Sequence, residues 1–276
     1  MIWQNLHAHC TFDDGRNTPE EMVRASLEAG LGSVGLSLHS PLPFESAWAA
    51  AQEAVPAFLK EMRRLRKAYA GKIGVYAGIE WDVLSPAEDL PLFDYVIGSV
   101  HHLPVGDRYP TVDDSEQTTM AFLERHFARD ADAAAGMYYG ELEKVALEPE
   151  TDIVGHFDLL TKFNERRCFF DEESPAYRRA ALRAMEALVA AGKIFEVNTG
   201  AISRGYRSTP YPSRAMLCTL AGMGGRVTLS ADAHDVRSVA THFEQAEALI
   251  RACGFREIWQ LELQRGKAVF VPRRLG

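Results

Sequence analysis

One pattern limits what this chain can become. Short β-rich runs alternate with longer helical stretches from end to end, the signature of a parallel α/β fold. The runs are IWQNL (2–6), SVGLSL (33–38), IGVYAGI (73–79), DYVIGSV (94–100), DIVG (152–155), KIFEV (193–197) and RVTLSA (226–231), with a weaker eighth at EIWQLEL (257–263). Parallel neighbours need a long crossover between them, and the intervening stretches carry helix punctuation. In TPEEMVRASLEAG, Thr18 is the N-cap, Pro19 fits the first helical position, Glu21 completes a capping box and Gly30 is the stop. SPAYRRAALRAMEALVAAG follows the same grammar with Ser174, Pro175 and Gly192. A further helical segment is predicted over 44–70, interrupted by Pro56 and closed by Gly71.

The stretch 103–150 is mainly helical after the polar loop VGDRYPTVDDSEQ, and it is long for a simple crossover. It is expected to cover part of the mouth of a site. No internal repeat or low-complexity linker interrupts the chain, so its 276 residues read as one domain (1–276), a length that suits a single α/β barrel.

Composition removes several function classes. A hydrophobic content of 47% with 25% charged residues describes a globular chain with material for a large core. The net charge of -8 argues against a surface built to grip long nucleic acid or an anionic membrane, both of which need basic patches. A small anionic substrate remains compatible, since a few local cations can bind it. No run approaches the length of a membrane span, and the N-terminus lacks the basic and apolar parts of a signal peptide. Cys10, Cys168, Cys218 and Cys253 show no C-x-x-C spacing and are expected to be free thiols in a reducing cytoplasm.

The chemistry gathers at the ends of the predicted strands. His7 follows the first, His39 the second, Glu80 the third, His101 the fourth, His156 the fifth, and Asp232 and His234 the seventh; Asn198 ends the sixth. In a barrel of parallel strands all these ends meet on one face, where the active site forms. Six of the nine histidines, His9 included, are thereby brought to one rim. Any one of them alone is an ordinary loop or core histidine; together they read as a site. Imidazoles and carboxylates without thiolates suit Zn²⁺, Mn²⁺ or Fe. The donors outnumber what one ion needs, which implies two or three divalent ions, with Glu80 suited to bridging a pair.

The motifs HAHCTFDDG, GLSLHSP, GIEWD, GSVHH, GHFDLLTKFN and SADAH, in that order, resemble the PHP (polymerase and histidinol phosphatase) superfamily of metal-dependent hydrolases. GSVHH, GHFDLLTKFN and NTGAISRGYRSTPYPS look closest to its histidinol-phosphate phosphatase branch. The resemblance implies a distorted, TIM-like barrel of seven β/α units and a trinuclear site. It puts His7, His9, Glu80 and Asp232 on a first ion, Glu80, His101 and His156 on a second, and Asp14, His39 and His234 on a third. Some members of the superfamily carry histidine where Asp14 stands. Asp13 beside it reads as a solvated turn residue, and Cys10 as a small packed side chain.

The reaction implied is hydrolysis of a small phosphate monoester, L-histidinol phosphate first, as in histidine biosynthesis. Asp14, Glu80, His102 and Asp232 are then the candidate catalytic residues, with His102 a general acid toward the leaving oxygen. Asn198, Arg204, Arg207 and His102 are the candidate substrate contacts. Arg204 is the preferred phosphate clamp, because a guanidinium binds two oxygens at once. Tyr138, Tyr139, Lys162 and Asn164 are candidates for the pocket wall, and Asp107, Asp113, Asp114 and Glu116 could attract an ammonium group. The competing readings are a nucleotide phosphatase or phosphodiesterase of the same superfamily, and a metal-binding regulatory protein without turnover.

Overall fold

In the computed structural model, which describes residues 3–275, seven strands form one parallel sheet in chain order. They are β1 (Gln4–Asn5), β2 (Ser33–His39), β3 (Gly74–Asp82), β4 (Tyr95–Ser99), β5 (Ile153–Val154), β6 (Ile194–Asn198) and β7 (Arg226–Ser230). Each pairs in parallel with the next. Just past β1 and β7 the ends meet: Ala8 bridges Ala233, and the His9 N–H donates to the Ala233 carbonyl at 2.8 Å. The sheet is thus a nearly closed barrel, as the family resemblance implies. Ile2, the first residue of the predicted first strand, lies outside the described residues.

The helices are α1 (Pro19–Glu28), α2 (Ala54–Ala68), α3 (Glu116–Phe127), α4 (Ala131–Leu142), α5 (Lys144–Leu147), α6 (Pro175–Ala190), α7 (Gly200–Ser203), α8 (Arg214–Gly222) and α9 (Phe243–Ala252). The capping box of Thr18 with Glu21 is present, and Ser174 caps α6 ahead of Pro175. The segment predicted as helix over 44–70 is helical only from Ala54. Pro56 falls in the first turn of α2, where its missing N–H has no helical acceptor to lose, so it marks the start of a helix and not an interruption. Residues 40–53 instead form a loop across the site. Tyr138 and Tyr139 are buried, with Tyr139 bonded to Tyr177 of α6 at 2.8 Å; they belong to the core and not to a pocket wall.

Inside the barrel Tyr95 spans the bore. Its hydroxyl donates to the Leu6 carbonyl and meets Ser37 at 2.8 Å. Gly35 and Gly78 make room for it, since a Cβ there would come within 2.2 and 2.1 Å of Tyr95. Below it, Leu6, Tyr76, Ile97, Ile153 and Ile194 form an apolar plug with Leu261.

Leu261 lies in β8 (Glu257–Gln264), which the sequence marks as a weak eighth run. It does not join the barrel. It pairs antiparallel with β9 (Lys267–Arg274) through a turn in which Arg265 and Gly266 both have positive φ, the geometry of tight hairpins. The hairpin docks under the barrel, where the Gln4 side chain donates to the Leu261 carbonyl at 2.9 Å and accepts from its N–H at 2.7 Å.

The expectation of four free thiols is corrected. Cys218 and Cys253 are disulfide-bonded with Cα atoms 4.5 Å apart, while Cys10 and Cys168 are free. The partners are 35 residues apart, Cys218 within α8 and Cys253 at the C-terminal cap of α9, a pairing that no local spacing announces. Among the described residues, no helix is long and apolar enough to cross a membrane.

Candidate metal centre and active-site cavity

A simple offset builds the site. His7, His101, His156 and Asp232 each stand two residues past the last residue of their strand. Side chains alternate with period two, so this offset keeps all four on the face that continues the bore. His39 and Glu80 are still within β2 and β3, and the sheet register sets them side by side. Asp232 adopts φ 47°, a left-handed conformation that aspartate tolerates better than most residues.

Three groups of His, Asp and Glu atoms lie within 4.8 Å of one another in a manner that could hold an ion: His7, His9 and Asp232; Glu80, His101 and His156; and His9, Asp14, His39 and His234. The two oxygens of Glu80 face different neighbours. Oε1 lies 2.9 Å from His156 Nε2 and 3.2 Å from His101 Nε2. Oε2 lies 3.1 Å from His7 Nε2, 3.5 Å from His9 Nε2 and 3.1 Å from His39 Nδ1.

Behind the histidines stand carboxylates. Glu196 accepts from His7 Nδ1 at 2.8 Å, Asp13 meets His9 Nδ1 at 3.0 Å, and Asp82 meets His101 Nδ1 at 3.3 Å. A carboxylate on Nδ1 fixes the tautomer and leaves the Nε2 lone pair facing inward, the arrangement found around metal-ligating histidines. The inward atoms fit a bound metal: His7 Nε2, His9 Nε2, His39 Nδ1 and Glu80 Oε2 are buried and have no hydrogen-bond partner. Buried polar atoms left so cost about 1–3 kcal/mol each, a cost that cations held among them would remove.

The electrostatics favour positive charge. Burial alone would raise the pKa of Glu80, but His7, His101 and His39 outweigh it and hold the carboxyl well below its ordinary range. Asp232 is held down against the same burial by Arg204 and His7. Burial disfavours a charged His7, yet Glu196, Glu80 and Asp232 overcome it and raise its pKa. Burial, helped by His9, lowers His39 to about 4, so it is a neutral donor near neutral pH.

The rim opens into a cavity of about 390 Å³. Arg204 lines it, with Nη2 on Asp232 Oδ2 at 2.8 Å and Nη1 on the Asp232 carbonyl at 2.8 Å. His102, Lys162, Asp113 and Asp114 line it too, together with Glu45 and Trp48.

A family model described as the PHP domain matches residues 5–200. The chain belongs to the PHP domain family. A probable histidinol-phosphatase of Deinococcus radiodurans is 29% identical over 253 residues, covering 87% of this chain and 89% of that protein. The histidinol-phosphatase of Bacillus subtilis is 24% identical over 260 residues, covering 86% and 96%. Among solved structures, histidinol phosphate phosphatase from Lactococcus lactis, complexed with Zn, L-histidinol and phosphate, superposes with TM-score 0.73 at 21% identity, covering 97% of this chain and 98% of that one. A histidinol phosphatase from Listeria monocytogenes gives TM-score 0.77 at 17% identity, covering 88% and 99%. These likenesses carry the fold: the barrel of this chain is the PHP barrel.

Within this PHP chain, all nine candidate ligands, from His7 to His234, stand at the one rim. Two candidate substrate contacts do not reach the cavity. Asn198 is fully buried, donating to Glu196 at 2.8 Å and accepting from the Gly200 N–H at 2.8 Å. Arg207 points away, bonded to the Thr161 hydroxyl and lying 4.5 Å over the Tyr211 ring. Asn164 braces Phe170 and Glu172, Glu116 pairs with Arg167 on the surface, and Asp107 is exposed. Asp13 is no solvated turn residue: its side chain is buried and also accepts the His39 N–H at 2.9 Å.

Sequence reading missed three residues here. Glu196 had a signal, a carboxylate at the inward phase of KIFEV, where the alternation demands an apolar residue. Asp82 had a weaker one, two residues after Glu80 on the same face. Trp48 was hidden inside the segment taken for helix.

Proposed function

We propose that this PHP-family chain is a metal-dependent phosphatase that hydrolyses a small phosphate monoester, L-histidinol phosphate foremost. One observation carries the reading: lone-pair atoms of His7, His9, His39 and Glu80 converge without hydrogen-bond partners at the floor of a cavity that Arg204 lines. The names of the relatives give the substrate.

In this reading His7, His9, Glu80 and Asp232 hold a first ion, Glu80, His101 and His156 a second, and Asp14, His39 and His234 a third. What supports Glu80 as the shared ligand is the division of its two oxygens between the two sets of histidines. His9 also neighbours the third group. Divalent ions such as Zn²⁺, Mn²⁺ or Fe²⁺ held there supply Lewis acidity and an activated water near neutral pH. Their number and identity are part of the proposal.

The side chains do the rest. Arg204 is held by Asp232 at its terminal nitrogens and offers its remaining N–H groups and its charge to phosphate oxygens. His102 faces the cavity beside His101 and serves as the general acid that protonates the leaving alcohol. The Asp82 carboxylate lies 3.9 Å from His102 Nδ1. Asp13, Asp82 and Glu196 hold the rings of His9, His101 and His7 in register, so that the donors do not reorganise during turnover.

Purified full-length protein, loaded separately with Zn²⁺ and with Mn²⁺, is to be assayed on histidinol phosphate, p-nitrophenyl phosphate, a cyclic nucleotide and a short oligonucleotide. The expected result is the highest kcat/KM on histidinol phosphate. A higher value on either diester overturns the assignment; metal binding without turnover of any ester favours a regulatory protein.

A further inference from the structure

The cavity has a second, differently built side. Trp48, in the loop between β2 and α2, places its ring 4.5 Å from His39, 5.0 Å from His101 and 5.3 Å from His102, nearly parallel to the last at 16°. Phe44 of the same loop stacks on Tyr109 at 4.4 Å and 4°, clasping 40–53 to the loop that follows β4. Trp48, Glu45 and Asp114 all line the cavity. Glu45 and Asp114 have no hydrogen-bond or ion-pair partner among the described residues. The other charges of the cavity are matched: Lys162 pairs with Asp113 at 3.0 Å and Arg204 with Asp232 at 2.8 Å. His102, only 7% exposed, also faces this space, and its Nδ1 has no hydrogen-bond partner.

An indole wall with two unneutralised carboxylates attracts a flat, positively charged group, through the ring quadrupole and through Coulomb attraction at the mouth. We propose that Trp48, assisted by Glu45 and Asp114, is the specificity determinant for the leaving alcohol and selects one that carries a protonatable heteroaromatic ring and an ammonium group. The inference rests on the phosphatase reading above and adds which wall recognises the alcohol and by what chemistry. The anionic ester group then points to Arg204 and the histidines, and the cationic half to the 45–48 and 111–114 side. Orientation follows from this separation of charge.

The test uses four monoesters on the metal-loaded full chain: histidinol phosphate (ring and cation), phenyl phosphate (ring), 2-aminoethyl phosphate (cation) and glycerol phosphate (neither). For Trp48→Leu, the ratio of kcat/KM on ring-bearing over ringless esters is expected to fall about 10–100-fold, mainly through KM, and Trp48→Phe to restore most of it. The double variant Glu45→Gln/Asp114→Asn is expected to lower the ratio of cationic over neutral esters and to leave the ring ratio in place. Equilibrium titration of L-histidinol, followed by tryptophan fluorescence, should quench the parent protein and leave Trp48→Phe nearly silent. Equal losses on all four esters in Trp48→Leu, or undiminished quenching in Trp48→Phe, would overturn the proposal. If the parent turns over histidinol phosphate no better than glycerol phosphate, the substrate reading fails; a Trp48-dependent ring ratio would still support the subsite.

Discussion

The two ends of this barrel are made by the same strands and obey opposite rules. At the N-terminal end, Leu6, Tyr76, Ile97, Ile153 and Ile194 meet Leu261 of the hairpin in an apolar plug, closed by reciprocal hydrogen bonds between Gln4 and Leu261. At the C-terminal end, histidines and carboxylates converge, and some of their inward atoms lack partners. One end satisfies its groups internally and supplies stability. The other holds lone pairs and charge in reserve for something the chain does not itself provide. A barrel can support a strained, donor-rich rim because the burial beneath it is independent of that rim.

The sharpest way to break this division is Glu80→Ala. Turnover is expected to fall by about 10³-fold or more, and elemental analysis to show two ions lost together while thermal stability without metal is little reduced. Loss of one ion with activity kept would refute the shared ligand. The matching change at the other end is Leu261→Ala, expected to destabilise by about 3 kcal/mol in denaturant unfolding with kcat unchanged. A drop in kcat equal to that of a rim variant would show that the ends are coupled.

Glu196→Gln tests the layer between them. Glu196 accepts from His7 Nδ1, the His156 N–H, Asn198 and Ser230, and an amide there disturbs the tautomer of His7. Metal affinity should fall about 10–100-fold, read by competition with a chelator, with the fold intact by circular dichroism.

The smallest effect concerns Asp152, ahead of β5 at the apolar end. Burial raises its pKa to about 6, against the pull of the Val96 N–H and Lys193. A raised carboxyl pKa means that the folded state binds the proton more tightly than the unfolded one. Its contribution is therefore greatest below about pH 4 and declines as pH rises toward 6. Asp152→Asn should flatten stability between these values and gain about 1 kcal/mol at pH 7, after allowance for partial exposure; an unchanged pH profile would refute the shift.

Much of the molecule was legible in the chain. The strand runs are read from local hydrophobicity and the α1 and α6 boundaries from caps, all short-range physics that survives folding unchanged. Most of the candidate ligands were legible because a parallel barrel turns a linear rule, polar residues at or just past each strand end, into a spatial one. Asp14, far from any strand end, was named only through the family resemblance. Where that rule did not apply, the reading failed. Arg207 shares a loop with Arg204, yet only Arg204 turns into the cavity, because the direction of a loop side chain depends on what packs beneath it. Asn198 does end β6, but its amide is taken up by Glu196 and the Gly200 N–H. Pro56 was read as an interruption because a proline in a helical pattern can break or begin a helix.

The sequence by itself determined the class of fold, the parallel sense of the strands and most of the metal-capable rim, since each follows from periodicity and position along single strands. Only the tertiary structure decided which carboxylate orients which histidine, that Cys218 meets Cys253, that the last strands form a plug and not an eighth barrel stave, and that Trp48 stands over the histidines. Those are contacts between segments distant in the chain. They are fixed by the closing of the barrel, a global packing event with no local signature in the residues that make it.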